Sequence, residues 1–462
     1  MRRRCNCVAQ VLHGVRLKTG KGGAMSTKAV TTGLPVFQTL AQGERIERCV
    51  SVALVGYGRR GEELADALWR VPGARLVAVA DIWPWRRELA AGRMRALRRP
   101  VRLYETAEEL LAAEGGRVDA VIVATPDWQH ANHVEACLAA GKHVSCEGEL
   151  ADGAERAKGL VRLARERLLL LQGGHQRRSN PRYVHAFEKV CRRDGALGRV
   201  THAYAQWHRA YEPLRALPER LAVSEESLAR FGYPGMEAFL NWEWFRRYGA
   251  GPCGAHTGQK LDLMRWFWDA EPESVSAEGG RDRYGRENAD NLMAMFTFRK
   301  PDGERVRGYI QVLSGVSRGG SYEQFMGEYA ALTIAEVAAC GDAVQPEEER
   351  VLKTPPVRQV YWDPFVRAGD ILPLREPPKL PQEDVVVDSR VSKNAPGWPL
   401  PFRLDKPALQ PHVENFVAAV RGETALADPG EQAYANLVGL EGALRAARER
   451  RAVDFTPQDF LA

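Results

Sequence analysis

No window of the chain approaches the eighteen or more consecutive apolar residues that a membrane-spanning helix needs, so no spanning segment is expected. Cysteine is sparse. There are eight in 462 residues, most of them single within expected helices or strands, which is not a disulfide framework and suits a reducing, cytoplasmic setting. Cys5 and Cys7 make a lone CxC without a second pair, so no metal site is expected. Internal repeats and low-complexity tracts are missing too. Acids are absent from residues 1–24, where Arg2, Arg3, Arg4, Arg16, Lys18 and Lys21 stand. This leader accounts for the whole formal net charge of +6, so the remainder is balanced and no nucleic-acid groove is indicated. The leader also lacks the apolar core of a signal peptide, and it reads as disordered or as sequence upstream of a start at Met25. What is present, 27% charged and 45% hydrophobic residues, is the make-up of a globular protein long enough for two domains.

The stretch Ser51 to Asp81 organises the rest of the chain. Val52 to Val55 has the composition of a buried strand, and Gly56, Gly58 and Gly61 come next at the spacing GxGxxG. The first glycine permits a tight turn, the second lets backbone approach a pyrophosphate, and the third lets the helix pack closely on the strand. Leu64, Ala67 and Leu68 then recur at helical spacing, Leu76 to Ala80 forms a second strand, and Asp81 stands twenty residues beyond Gly61. A carboxylate there accepts hydrogen bonds from adenosine ribose hydroxyls and repels a 2′-phosphate. The whole is a βαβ unit for a dinucleotide. The binding turn comprises Gly56, Tyr57, Gly58, Arg59, Arg60 and Gly61 with Asp81, and it favours NAD, while Arg86 and Arg87 keep NADP open.

Further along, Val101 to Tyr104, Val118 to Ala124, Lys142 to Cys146 and Leu168 to Gln172 read as strands. Between them lie helices over Glu105 to Ala113, His133 to Ala140 and Ala154 to Glu166. Thr125, Pro126, Asp127, Trp128 and His130 fall in a loop at the carboxyl end of a strand, where open α/β sheets bind ligands. From Val200 the pattern changes to the alternation of half-buried antiparallel strands, as in Leu292, Ala294, Phe296 and Phe298; Arg305 to Leu313 and, after a glycine-rich turn, Tyr329 to Glu336 continue it. The aromatic stretch Phe239 to Phe267 reads as core or cleft wall. The expected fold is therefore α/β: a doubly wound parallel Rossmann sheet followed by an α+β domain with a large, mainly antiparallel sheet. Its parts are an N-terminal extension (1–47), a dinucleotide domain (48–173), a substrate and oligomerisation domain (174–345), a Pro-rich insertion or arm (346–406), and C-terminal helices (407–462) that close the fold.

The Rossmann unit, then TPDWQH, GKHVSCEGELA and GGHQRRSNP ahead of a mostly β domain, together resemble the Gfo/Idh/MocA family over residues 50–340 and the C-terminal helices. The resemblance implies NAD or NADP in the first domain and a sugar, polyol or related alcohol in the cleft beside it, with hydride moved to or from a substrate carbon. It implies that Glu147 meets the nicotinamide ribose, that His130 and Trp128 lie near the nicotinamide, and that Gln176 with Arg177 or Arg178 lines the substrate cleft. Either arginine could instead belong to a solvated loop, and His130 and Trp128 could be packing only. The family's Glu-Lys-Pro is here Glu147-Gly148-Glu149. An ungapped alignment puts Ala255 and Gln259 at the positions of its Asp and His, leaving only Asp262 in place.

Oxidising an alcohol needs a group to take the hydroxyl proton, and neither Gly148 nor Ala255 can do so. The local candidates are Glu149, His256, Gln259 and Lys260, with His256 and Lys260 one helical turn apart. His256 could face the cleft or bond to backbone, and Lys260 could reach the cleft or solvent. If it acts, His256 is expected to titrate near neutrality. The expected function is an NAD(P)-dependent sugar or polyol oxidoreductase with a non-standard proton relay, working as a homo-oligomer through the second-domain sheet. The alternatives are a redox-neutral NAD-dependent glycoside hydrolase or lyase, as in α-N-acetylgalactosaminidases of the family, and a dinucleotide-binding protein without catalysis.

Overall fold

The computed structural model describes residues 49–193, 195–210, 214–316, 320–335, 352–353, 363–373, 397–401 and 406–462. The N-terminal extension and most of the 346–406 arm lie outside the described residues.

Val50–Val55 (β1) buries nearly every side chain, as a strand covered on both faces must. It pairs in parallel with Ala74–Ala80 (β2) on one side and Ala120–Val123 (β4) on the other. Arg102–Tyr104 (β3), His143–Cys146 (β5) and Leu171–Gln172 (β6) complete a parallel sheet in the order β3-β2-β1-β4-β5-β6. The order reverses between β1 and β4, and that reversal opens a crevice beyond their carboxyl ends. Leu64 and Leu68 of the Arg59–Trp69 helix, with Val413 and Phe416 of the Gln410–Val420 helix, pack on one face. The other face is covered by Val134, Leu160 and Leu437, from the helices Asp127–Ala139, Ala154–Glu166 and Gly430–Glu449.

The second sheet is built from Val200–Arg209 (β7), Pro272–Gly280 (β8), Asn291–Arg299 (β9), Arg305–Ser314 (β10), Gly320–Gly327 (β11) and Ala331–Ile334 (β12). Leu352–Lys353 (β13) and Gly397–Trp398 (β14), the strands described within the arm, extend one edge, and Val453–Asp454 (β15) extends the other. The order is β14-β13-β12-β11-β7-β10-β9-β8-β15, antiparallel except where β7 meets β10. One face, with Ala203, Phe296, Phe298, Ile310 and Val312, is buried under the Gly251–Trp268 helix. The other turns outward, with Tyr204 stacked on Tyr309 and Met295 53% exposed.

Two expectations shift. The helix expected from His133 begins at Asp127, because Pro126 takes the capping position and Asp127 the first turn. The glycine-rich stretch before Tyr329 is itself a strand, β11, whose buried positions are Glu323 and Phe325. A charged residue at one buried position hides the alternation. Among the described residues no helix is long and apolar enough to cross a membrane.

Candidate active site

Gly56 sits at φ 92°, where a Cβ would lie 2.6 Å from the Ala124 carbonyl oxygen, so the turn requires glycine. Above Gly58 the space is open: a Cβ there would meet nothing within 4 Å. An anion can therefore approach the helix N-terminus. Asp81 accepts hydrogen bonds from the backbone N–H of Tyr57 (2.6 Å) and of Trp83 (2.8 Å). Burial pushes its pKa up, against those two N–H groups and Arg86 and Arg87. Both arginines are engaged: Arg86 pairs with Glu62 and lies over the Trp85 ring, and Arg87 donates to the Asp81 carbonyl. The Tyr57 side chain is core, so only its backbone faces the turn. Arg60 is held by Glu147 at 2.8 Å and donates to Gln176, tying the turn to the ends of β5 and β6, while Arg59 is exposed and pairs with Glu63.

Thr125 and Pro126 lead from β4 into the next helix. His130 is enclosed, not lining the crevice: its ring nitrogens lie 2.6 Å and 2.7 Å from the carbonyl oxygens of Thr125 and Glu149. It fastens the two loops together. Trp128 is half-buried and donates to the Tyr233 hydroxyl at 3.2 Å, within an aromatic cluster that includes Trp83, Phe239 and Tyr248 and joins the carboxyl edge of the first sheet to the 219–248 segment. The sequence placed Phe239 and Tyr248 as core or wall and Trp128 near the nicotinamide or in packing, and it did not single out Trp83 or Tyr233. Asp127 is half-buried at the start of its helix. Gly148, at the missing lysine, has φ 62°, so the backbone itself departs from what a lysine there adopts comfortably.

Of the four candidate proton carriers, the structure separates one from three. Lys260 is fully buried and commits its ammonium to Glu323 and to the Ser321 hydroxyl, so it reaches neither solvent nor an open cleft. Glu149 is buried against Gly258, and burial raises its pKa to about 7. Gln259 accepts from Arg177 at 3.1 Å and donates to the Gly174 carbonyl. His256 is half-buried and stacks on Trp207 with ring centroids 3.9 Å apart and an 18° interplanar angle. Among the described residues none forms a hydrogen bond with its ring. Burial, then Arg209, Lys260 and Arg177, hold its pKa well below the ordinary histidine value, so it is neutral at pH 7 and does not titrate near neutrality as expected.

Arg178 makes a bidentate pair with Asp262 (2.8–2.9 Å) and is buried, so it is not free for a substrate; Arg177 is buried as well. His175, Asp262 and Asp428 lie close enough to hold a metal, with candidate ligand atoms within 4.8 Å of one another. The site argues against one. His175 already meets Asp428 at 2.8 Å, and the Arg178 guanidinium fills the cation's place. Burial opposes the Asp428 anion, but His175 and Arg178 hold its carboxyl well below the usual carboxylate range.

Residues 50–175 match the model of an oxidoreductase family with an NAD-binding Rossmann fold, and residues 189–319 match the GFO/IDH/MocA C-terminal domain. The chain belongs to the Gfo/Idh/MocA family, and its first domain is that family's NAD-binding domain. It is 39% identical to inositol 2-dehydrogenase of Rubrobacter xylanophilus over 165 residues, 35% of this chain and 44% of that protein. It is 25% identical to 2,7-anhydro-N-acetylneuraminate hydratase of Mediterraneibacter gnavus over 235 residues, 50% of this chain and 53% of that protein. The chain thus spans about half the length of the curated relatives it matches. An NAD-binding protein from Listeria innocua shares the fold, with TM-score 0.62 and 19% identity over 88% of this chain and 97% of the other.

The residues fit the cofactor: an open glycine turn, a free helix N-terminus and a carboxylate at the end of β2. Asp81→Ala is expected to weaken NAD binding by about 1 to 3 kcal/mol, the scale of charge-assisted hydrogen bonds. Calorimetry checks this, and unchanged affinity would remove Asp81 from the site.

Proposed function

We propose that the chain is an NAD-dependent oxidoreductase that acts on a sugar, polyol or sugar derivative at a carbon bearing a hydroxyl. The observation that carries this reading is the His256 imidazole, stacked on Trp207 and, among the described residues, with no hydrogen-bond partner on either ring nitrogen, in a chain whose first domain binds NAD. When bound, the nicotinamide supplies the hydride acceptor. The chain's own residues orient and manage the proton: Asp81 holds the adenosine ribose, and His256 takes the substrate hydroxyl proton on a ring nitrogen as the carbon loses hydride. Stacking on Trp207 fixes the imidazole plane. Engagement of Arg86 and Arg87 elsewhere supports NAD over NADP. The homology to an inositol dehydrogenase supports the substrate class. Self-association through the outward sheet face, with Met295, Tyr204 and Tyr309, belongs to the same proposal; a scattering mass of 51.4 kDa, that of one chain, would remove it.

The hydratase among the relatives favours one second reading, a redox-neutral lyase-type reaction on a sugar derivative. One assay tests both. Purified protein with NAD is incubated with polyols, sugars and glycosides while the NADH absorbance band and product release are followed together. Net NADH formation with a polyol or sugar is the expected result, and product release without net NADH selects the second reading. Neither signal with any of them overturns both.

A further inference from the structure

The resemblance puts the lysine of Glu-Lys-Pro at position 148, where this chain has Gly148. The neighbouring volume holds an acid. The Asp127 Oδ1 lies 4.0 Å from where a Cβ on Gly148 would stand, and its Oδ2 lies 3.0 Å from the corresponding point on Gly249, just ahead of the Gly251–Trp268 helix. Asp127 follows β4 and Gly148 follows β5. Asp81, at the end of β2, takes the adenosine half. A dinucleotide laid across the β1/β4 reversal therefore puts its other half over β4 and β5. No other described residue donates a hydrogen bond to the Asp127 carboxylate.

We propose that Asp127 is a proton-exchanging group whose charge is set by the redox state of the bound nicotinamide, ionised against the cationic oxidised ring and protonated readily beside the neutral reduced one. The inference rests on the cofactor reading above. Four groups act on the Asp127 carboxylate through their charge: His130 on its own helix, Glu147 and Glu149 on the loop after β5, and Glu243 from the second domain. Burial first, then Glu243 and Glu147, raise its pKa to about 6 against the pull of His130. A cationic ring nearby lowers it again, so binding of the oxidised cofactor releases a proton near pH 6 and its affinity rises as pH increases through that range. The reduced cofactor brings no such charge and releases none. The proton balance is carboxylic acid to carboxylate plus a solvent proton. No electron moves.

The test needs no substrate. NAD⁺ and NADH are titrated into the full chain by calorimetry at pH 6 in two buffers of different ionisation enthalpy, for the parent and for Asp127→Asn. The expected result is proton release with NAD⁺ only in the parent, none with either cofactor in the variant, and a loss of at least about fivefold in the preference for NAD⁺ over NADH. Identical proton exchange for both cofactors in the parent overturns the inference and leaves the cofactor reading standing; this arm needs no variant to fold. Equal weakening of both cofactors in Asp127→Asn also overturns it, by making the residue a spacer. Binding of neither to the parent removes the cofactor reading and the inference together.

Discussion

His256→Gln is expected to lower turnover by roughly a hundredfold or more while leaving NAD affinity near that of the parent. Glutamine keeps much of the volume and can donate and accept hydrogen bonds, but it cannot carry the proton. The ring lies flat on Trp207 with centroids 3.9 Å apart, and among the described residues neither nitrogen has a hydrogen-bond partner, whereas Lys260, Gln259 and Glu149 are tied down or enclosed. The sign of the pH dependence comes from the depressed pKa. Neutral imidazole is the competent base, and it persists well below pH 6.5, so the His256-dependent limb of the rate should stay flat through neutrality and fall only in acid. Steady-state rates across pH, with calorimetry for NAD, check both parts. Full activity in His256→Gln would end its role as the base.

A second large effect concerns stability. Glu323→Ala strips the buried Lys260 ammonium of its ion-pair partner and the Tyr183 hydroxyl of its acceptor at 2.5 Å. Both ions are nearly inaccessible to water, so the loss should be about 3 to 5 kcal/mol in urea unfolding, the usual penalty for breaking a buried ion pair by removing one partner. Adding Lys260→Met should recover most of it, because a well-packed apolar pair does without the desolvation cost. A loss below about 1 kcal/mol in the single variant would mean that Lys260 finds water. It would then return as a candidate proton carrier.

The first domain was legible because its signals are local. Six apolar runs alternate with helical periods, and the glycine turn falls between β1 and the helix that starts at Arg59. The second domain was legible in class but not in detail. Strand β11 escaped notice because Glu323 occupies an inward position that only a lysine distant in sequence makes tolerable. The same limit applied at the site. Whether His256, Gln259 or Lys260 opens to the cleft depends on which side of one helix meets the sheet, and the residues from Gly251 to Trp268 mix polar and apolar side chains on every side of a helix that is buried nearly all round, so no amphipathic stripe marks a face. Asp127 read as part of a cofactor loop. Its closeness to two glycines on different elements is a property of the fold alone.

The Gly430–Glu449 helix contributes to the cores of both sheets, with Leu437 and Leu440 in one and Ala443 and Ala446 in the other, while Phe416 and Val417 of the helix before it cover the far face of the first sheet. On the ribosome, the first sheet therefore emerges long before the segments that shield it. Its apolar flanks must wait, exposed or chaperoned, until the Gln410–Val420 and Gly430–Glu449 helices have been made. A nascent chain stalled after β6 should accordingly be digested readily by protease, and resistance should appear late and abruptly, when the last two helices clear the exit tunnel.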